Sequence, residues 1–234
     1  MARIASFHLI REPAWKAPLA MARLGTDRPR LRRVDGLAFW RLLGTGRSDD
    51  TGPGADLSRT AVFAVWDDER ALDRFESEHP LARRWSDAAE SWHVRLRAIG
   101  GHGRWNGVDP LAGLDAATRS RKSGPVAIIT RADVRRHART EFRAASRDVN
   151  TELHRADGLI DVVGIGEAPV GRLATFSLWD SMDAVRSFAY AMPRHQQVID
   201  QTRDGEWYSE ELFARFEPYG SRGAWNGRDP LRRR

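Results

Sequence analysis

The chain contains no cysteine. Disulfides, thiolate metal sites, thiolate-ligated haem and cysteine nucleophiles are excluded with it, which leaves histidine and carboxylates as metal ligands. No run of 18 apolar residues is present to span a bilayer. The start, MARIASFHLIREPAW, lacks the basic lead, apolar stretch and small-residue cleavage site of a secretory signal, so a cytoplasmic protein is expected. Lysine is scarce: Lys16 and Lys122 are the only two among 38 basic residues. The formal charge is +6 and the isoelectric point near 10.5, yet acidic residues are interleaved with the arginines and no unbroken basic block exceeds residues 232–234. Nucleic acid is therefore not expected as a partner. Known catalytic signatures are missing as well. Neither Gly44-Thr45-Gly46 nor Gly164-Ile165-Gly166 continues into a nucleotide loop, no GxSxG elbow occurs, and no HxxxH or HExxH spacing supports a multi-histidine metal site.

What the chain does have is a phrase written twice, RWNGVDPL at 104–111 and AWNGRDPL at 224–231. Walking back from the two copies gives further matches in the same order: SFHLIR with VAIITR, VDGLAFWRLLG with ADGLIDVVGIG, and VWDDERALDRF with LWDSMDAVRSF. In chain order the offsets are 120, 122, 113 and 120, the drift that loop insertions at 47–57 and 197–204 produce. The chain reads as a tandem repeat, residues 1–113 and 125–234, joined by a polar linker at 114–124.

Each half reads coarsely as βαββαβ. In the second, 126–130 is a β-branched strand, 133–155 a polar helix, and 159–165 and 173–178 two further strands. Over 180–203, Met182, Val185, Phe188, Met192, His195 and Ile199 recur three or four apart, which predicts one helical stripe capped by Asp180 or Ser181. A last strand covers 212–216. A single ferredoxin-like unit leaves one sheet face bare, and two units bury those faces against each other. An α+β barrel closed within one chain is expected. The Trp and Asn-Gly of each repeated phrase should tuck the tail onto that barrel through a turn.

Repeats that share a structure should agree, so function is sought where they differ. With an offset of 113, FAYAMPRH aligns with FESEHPLA, and His195 stands where the first half has Ala82. Such an imidazole is either a packed histidine bonded to a carbonyl or an axial ligand to a metal or haem. His8 shows no polar partner nearby in sequence, and the other histidines lie among charged or glycine-rich residues. Most of the nine tryptophans fall at equivalent or strand-end positions and read as core.

The series ADGLIDVVGIGEAPV, ATFSLWDS, SFAYAMPRHQQVI and GEWYSEELFARFEPYGSRGAWNGRDPL resembles the spheroidene monooxygenase family of carotenoid biosynthesis. The likeness is dense over 126–231 and looser in the first half. That family is similar to haem proteins of the dimeric α/β-barrel group, which include chlorite dismutases, dye-decolourising peroxidases and aldoxime dehydratases. The resemblance implies haem b bound in the second half, with His195 as the ligand to iron and Phe188, Met192 and Ile199 packed on the porphyrin. It also implies oxygenation of a hydrophobic small molecule, an acyclic carotenoid in the family. Thr175 and Ser177 on one face of the third strand and Arg215 on the fourth would steer oxygen or anchor a propionate. Aldoxime dehydration, other nitrogen-oxygen chemistry, and a haem or ligand carrier without catalysis are the alternatives. A peripheral membrane contact and a homodimer are both compatible with this reading.

Overall fold

The computed structural model describes residues 2–46, 54–114, 124–167, 172–190 and 207–232. The first half runs β1 (Ile4–Arg11), α1 (Ala17–Thr26), α2 (Arg28–Leu31), β2 (Leu37–Gly46), β3 (Ala55–Trp66), α3 (Glu69–Glu78), α4 (Pro80–Ser86) and β4 (Glu90–Gly103). The second runs β5 (Val126–Val134), α5 (Arg139–Leu153), β6 (Leu159–Gly166), β7 (Arg172–Trp179), α6 (Met182–Tyr190) and β8 (Tyr208–Gly223). The order is the expected βαββαβ, twice. The first strand of the second half outruns its sequence limit, because Ala132 and Val134 bury themselves beside Trp207 and Ala138, so the helix begins at Arg139 rather than 133. Most of the linker, 115–123, lies outside the described residues.

The eight strands pair antiparallel and close into one barrel, β1-β3-β2-β6-β7-β5-β8-β4. The halves meet at two seams, long between β4 and β8 and short between β2 and β6, where Gly44 pairs with Gly166 and Thr45 with Ile165. Strand alternation sends one set of side chains inward and the other toward the helices. Inside, Phe7 and Phe176 stack with ring centroids 3.8 Å apart, and Leu9, Phe63, Val94, Ile129, Ala214 and Phe216 fill the space around them. This interior is a packed core, so a ligand has to sit elsewhere.

The repeated phrase seals that core. Trp105 and Trp225 are each 1% exposed; one stacks on Phe63, and the other lies against Trp92 and Phe176. After each, Asn and Gly take positive φ (52° and 77° at Asn106 and Gly107, 53° and 79° at Asn226 and Gly227). These are the left-handed values that a two-residue turn of the mirror-image type requires. Each turn is tied down by a glutamate from a last strand. Glu210 accepts from the amides of Asn106 and Gly107 at 2.6 Å each, and Glu90, 120 residues earlier, accepts from Gly227 at 2.7 Å. Arg131, buried inside the barrel end, donates to Glu210 and to Asn106. Although partial burial acts the other way, those two amides and the Arg131 guanidinium hold the Glu210 carboxyl below its ordinary range. Among the described residues no helix is long and apolar enough to cross a membrane.

Candidate functional site

With the interior full, the space between each sheet and its helices is the place for a ligand, and the halves treat it differently. Pairing fixes their equivalence. Ile4 pairs with Trp66 and Val126 with Trp179, so the first strands correspond with an offset of 122, two residues beyond the sequence match. His8 therefore corresponds to Thr130, Ser6 to Ile128 and His93 to Phe213. The α3 and α6 helices keep the offset of 113: Asp68 caps the first by accepting from Ala71, and Ser181 caps the second by accepting from Ala184.

In the first half the layer is plugged. Trp66 Nε1 donates to Ser6 Oγ at 2.9 Å, Ser6 lies 2.8 Å from His8 Nε2, and His8 Nδ1 lies 2.8 Å from His93 Nδ1. The two imidazoles are 1% and 3% exposed, and Trp85, Leu72, Phe75, Leu81 and Ala82 close over the same sheet. Sequence reasoning found no partner for His8. Its partner comes from 85 residues away, because β1 and β4 are neighbours in which His8 and His93 are directly opposed. Two nitrogens at 2.8 Å share one proton, so the two rings cannot both be protonated. Burial, aided by Arg222 and Arg95, pushes His8 down to about 3. Burial, the adjoining His8 and Arg222 push His93 down to about 2.

In the second half the described residues of this layer form a hydrocarbon wall, and the two histidine positions are less buried. Thr130 is exposed where His8 is buried, and Phe213 is partly exposed where His93 is buried. Around them stand Ile128, Val162, Trp179, Met182, Val185 and Phe188, with the rings of Trp179 and Phe188 5.3 Å apart. The site residues expected from sequence fall as follows. Thr175 is partly exposed on the outer face of β7. Ser177, two residues on, is buried and accepts from Trp179 Nε1 at 3.0 Å. Arg215 lies on the outer face of β8 with its Nε buried and without a hydrogen-bond partner. Phe188 packs onto this wall from α6. His195, Met192 and Ile199 lie outside the described residues, as does most of the stretch of 180–203 beyond α6.

The described wall suits a large, flat, mostly apolar group bearing acid side chains. Its surface is aromatic and aliphatic, its one orphaned polar atom belongs to a permanent cation, and the imidazoles that block the equivalent layer are gone. Haem b has that chemistry.

Comparison with known proteins finds relatives that match over most of the chain. Spheroidene monooxygenase of Rhodobacter capsulatus is 31% identical over 206 residues, 88% of this chain and 83% of that protein. The protein of the same name from Rubrivivax gelatinosus is 35% identical over 194 residues, covering 82% and 73%. That from Cereibacter sphaeroides is 32% identical over 195 residues, covering 82% of this chain and 59% of its own. No family model matches. Among solved structures, an aldoxime dehydratase aligns with a TM-score of 0.58 at 12% identity, over 92% of this chain and 81% of its own. A second, in complex with butyraldoxime, gives 0.59 at 12% over 93% and 80%. At that identity the likeness is one of fold.

Proposed function

The chain belongs to the spheroidene monooxygenase family, and from that premise we propose that it is a haem-dependent monooxygenase that transfers one oxygen atom of O₂ to a carotenoid, the other leaving as water with two electrons from an external donor and two protons. One observation carries the haem part of the reading: the layer that His8, His93 and Trp85 fill in the first half is apolar in the second, with Thr130 exposed and Phe213 partly exposed where the two histidines are buried. In this reading His195 is the protein ligand to the iron, while Phe188, Met192 and Ile199 pack against the porphyrin. When bound, haem supplies the iron redox chemistry that activates oxygen.

The residues of the chain do the rest. The wall of Ile128, Val162, Phe213 and Trp179 keeps water from the layer that would hold the porphyrin. Thr175, the more open of the two β7 hydroxyls, faces the substrate side and orients it. Ser177 holds the Trp179 indole and so fixes one edge of the wall. The protein works in the cytoplasm at a membrane surface, where a carotenoid is found, and its lipid contact is the exposed Trp15 and Leu19 at the head of α1. The reading needs no second copy, since both halves of the barrel come from one chain.

The test is spectroscopic. Purified with added haem, the protein should show a Soret band that His195→Ala shifts or abolishes, and carotenoid should perturb the wild-type spectrum. Absence of the band, or the same spectrum in the variant, would overturn the ligand assignment. Perturbation by an aldoxime and not by carotenoid would overturn the substrate class.

A further inference from the structure

Arg95 and Arg215 stand 120 residues apart at the same place in the two halves. Each lies on the outer face of the last strand of its half, and each side chain runs across a glycine of the neighbouring half. A Cβ added to Gly220 would lie 3.5 Å from Arg95 Cδ, and one added to Gly100 would lie 3.3 Å from an Nη of Arg215. The track of the two guanidinium groups is thus preserved. Their ends are not.

Arg95 meets three carboxylates on α3. It donates to Glu69 at 2.9 Å, to Asp73 at 2.6 Å and to Glu76 at 2.9 Å. Burial acts against it, yet those carboxylates hold its proton more firmly than an ordinary guanidinium does. The offset of 113 between the capped helices puts Met182, Arg186 and Ala189 of α6 where those three acids stand. All three counter-charges have gone, and one has become a cation, itself turned to Asp183 on its own helix. Among the described residues Arg215 has a buried Nε without a hydrogen-bond partner and the ring of Phe213 5.9 Å from its guanidinium carbon. Arginine does not escape burial by losing its proton, and a partly buried cation without an anion is costly.

We propose that Arg215 is the receptor for a carboxylate of the bound cofactor, a porphyrin propionate, so that the second half takes from its ligand the counter-charge the first half builds into α3. The proposal rests on the haem reading. A carotenoid is neutral, which leaves the propionates as the anions that reading brings to this wall. Loss of the three acids and loss of the histidine plug then belong to one change, from a layer that is internally satisfied to one completed by a ligand.

The experiment titrates the purified, haem-free protein with haem and with haem dimethyl ester, whose propionates carry no charge. Wild type should bind haem about tenfold or more tightly than the ester. Arg215→Met should lose that preference while keeping its affinity for the ester, which also shows that it is folded. The triple variant Met182→Glu, Arg186→Asp, Ala189→Glu restores the first half's acids. Without haem its melting temperature should rise, and its affinity for haem should fall about tenfold while that for the ester holds. Equal wild-type affinities, or an Arg215→Met variant that weakens both ligands alike, would overturn the propionate assignment and leave the haem reading standing. Failure of wild type to bind either would remove the haem reading and this proposal together. An unchanged melting temperature in the triple variant would show that Arg215 lacks no counter-charge.

Discussion

Ser6 and Ser177 hold equivalent tryptophans from opposite members of one cross-strand pair. Ser6 sits on β1 opposite Ala64, and Ser177 sits on β7 opposite Ile128, so the serine has changed strands between the halves. Each still accepts the indole N–H, at 2.9 Å for Trp66 and 3.0 Å for Trp179. An indole N–H in an apolar layer needs an acceptor, and a hydroxyl at either place in the pair supplies it.

Ser177→Ala should therefore act first on stability. It strands the Trp179 N–H in a place where the ring is 3% exposed, a loss of about 1–3 kcal/mol for an unsatisfied buried donor. Denaturant unfolding of the wild type and variant measures it. A hydroxyl that only touched oxygen or substrate would alter turnover with unfolding unchanged, and that result would remove the positioning role.

The His8–His93 pair makes the fold sensitive to acid. In the unfolded chain both imidazoles take a proton near pH 6.5, but in the folded state they resist until about 3 and about 2. Below pH 6.5 the unfolded state thus binds more protons, and stability falls as pH falls. The contribution is complete above that pH and should drop by about 2 kcal/mol per histidine by pH 5. The double variant His8→Thr, His93→Phe imports the residues of the second half. Its stability, measured by urea unfolding between pH 7.5 and 5, should fall less steeply than that of the wild type; parallel slopes would mean the pair is not the sensor.

The two turn-holding glutamates should differ in weight. Glu210 faces an Arg131 side chain that is 1% exposed, whereas Glu90 faces Arg59 at 13% and Arg11 at 44%. Removing the charge next to a buried cation costs about 3 kcal/mol or more, and next to a wetter one about 1. Glu210→Gln should consequently lower the denaturation midpoint further than Glu90→Gln. The reverse order would show that the Asn226 end carries more of the closure.

Much of this was legible in the sequence, and what was not has physical causes. The repeat pointed to the βαββαβ order, the closed barrel, the Asn-Gly turns and a cap at Asp180 or Ser181, of which the structure picks Ser181. The match of SFHLIR with VAIITR is out by two residues in register, a slip that a strand hides because positions two apart share a face. The slip set His8 against Ile128 instead of Thr130 and so concealed the exchange of an imidazole for a small hydroxyl. The His8–His93 contact was invisible for another reason: it exists only once β1 lies beside β4. Arg131 inside the barrel end likewise carried no sequence signal among so many arginines. The loss of Glu69, Asp73 and Glu76 on the other helix was present in the alignment all along. It acquired meaning only when Arg95 was seen to hold all three.

Trp15 departs from the rule that the tryptophans here are core. It is 78% exposed, and Leu19, one helical turn on, is 46% exposed. With Pro18 and Ala22, which are also exposed, they form a stripe at the head of α1 facing away from the buried Ala20. Lys16 sits over the Trp15 ring at 4.9 Å, and Arg28, Arg30, Arg32 and Arg33 follow within the next turns, all exposed. An amphipathic indole beside an apolar stripe and clustered cations is the chemistry of an anionic bilayer surface. Flotation with vesicles of phosphatidylcholine and phosphatidylglycerol should carry the protein up the gradient, with less carried as salt is raised. Vesicles of phosphatidylcholine alone should carry much less. Trp15→Ser with Leu19→Ser should cut binding about tenfold while the unfolding midpoint stays as it was. Unchanged flotation would move the contact elsewhere on the surface. Loss of a dimer in the variant, with no lipid binding by either protein, would make the stripe a contact between copies instead.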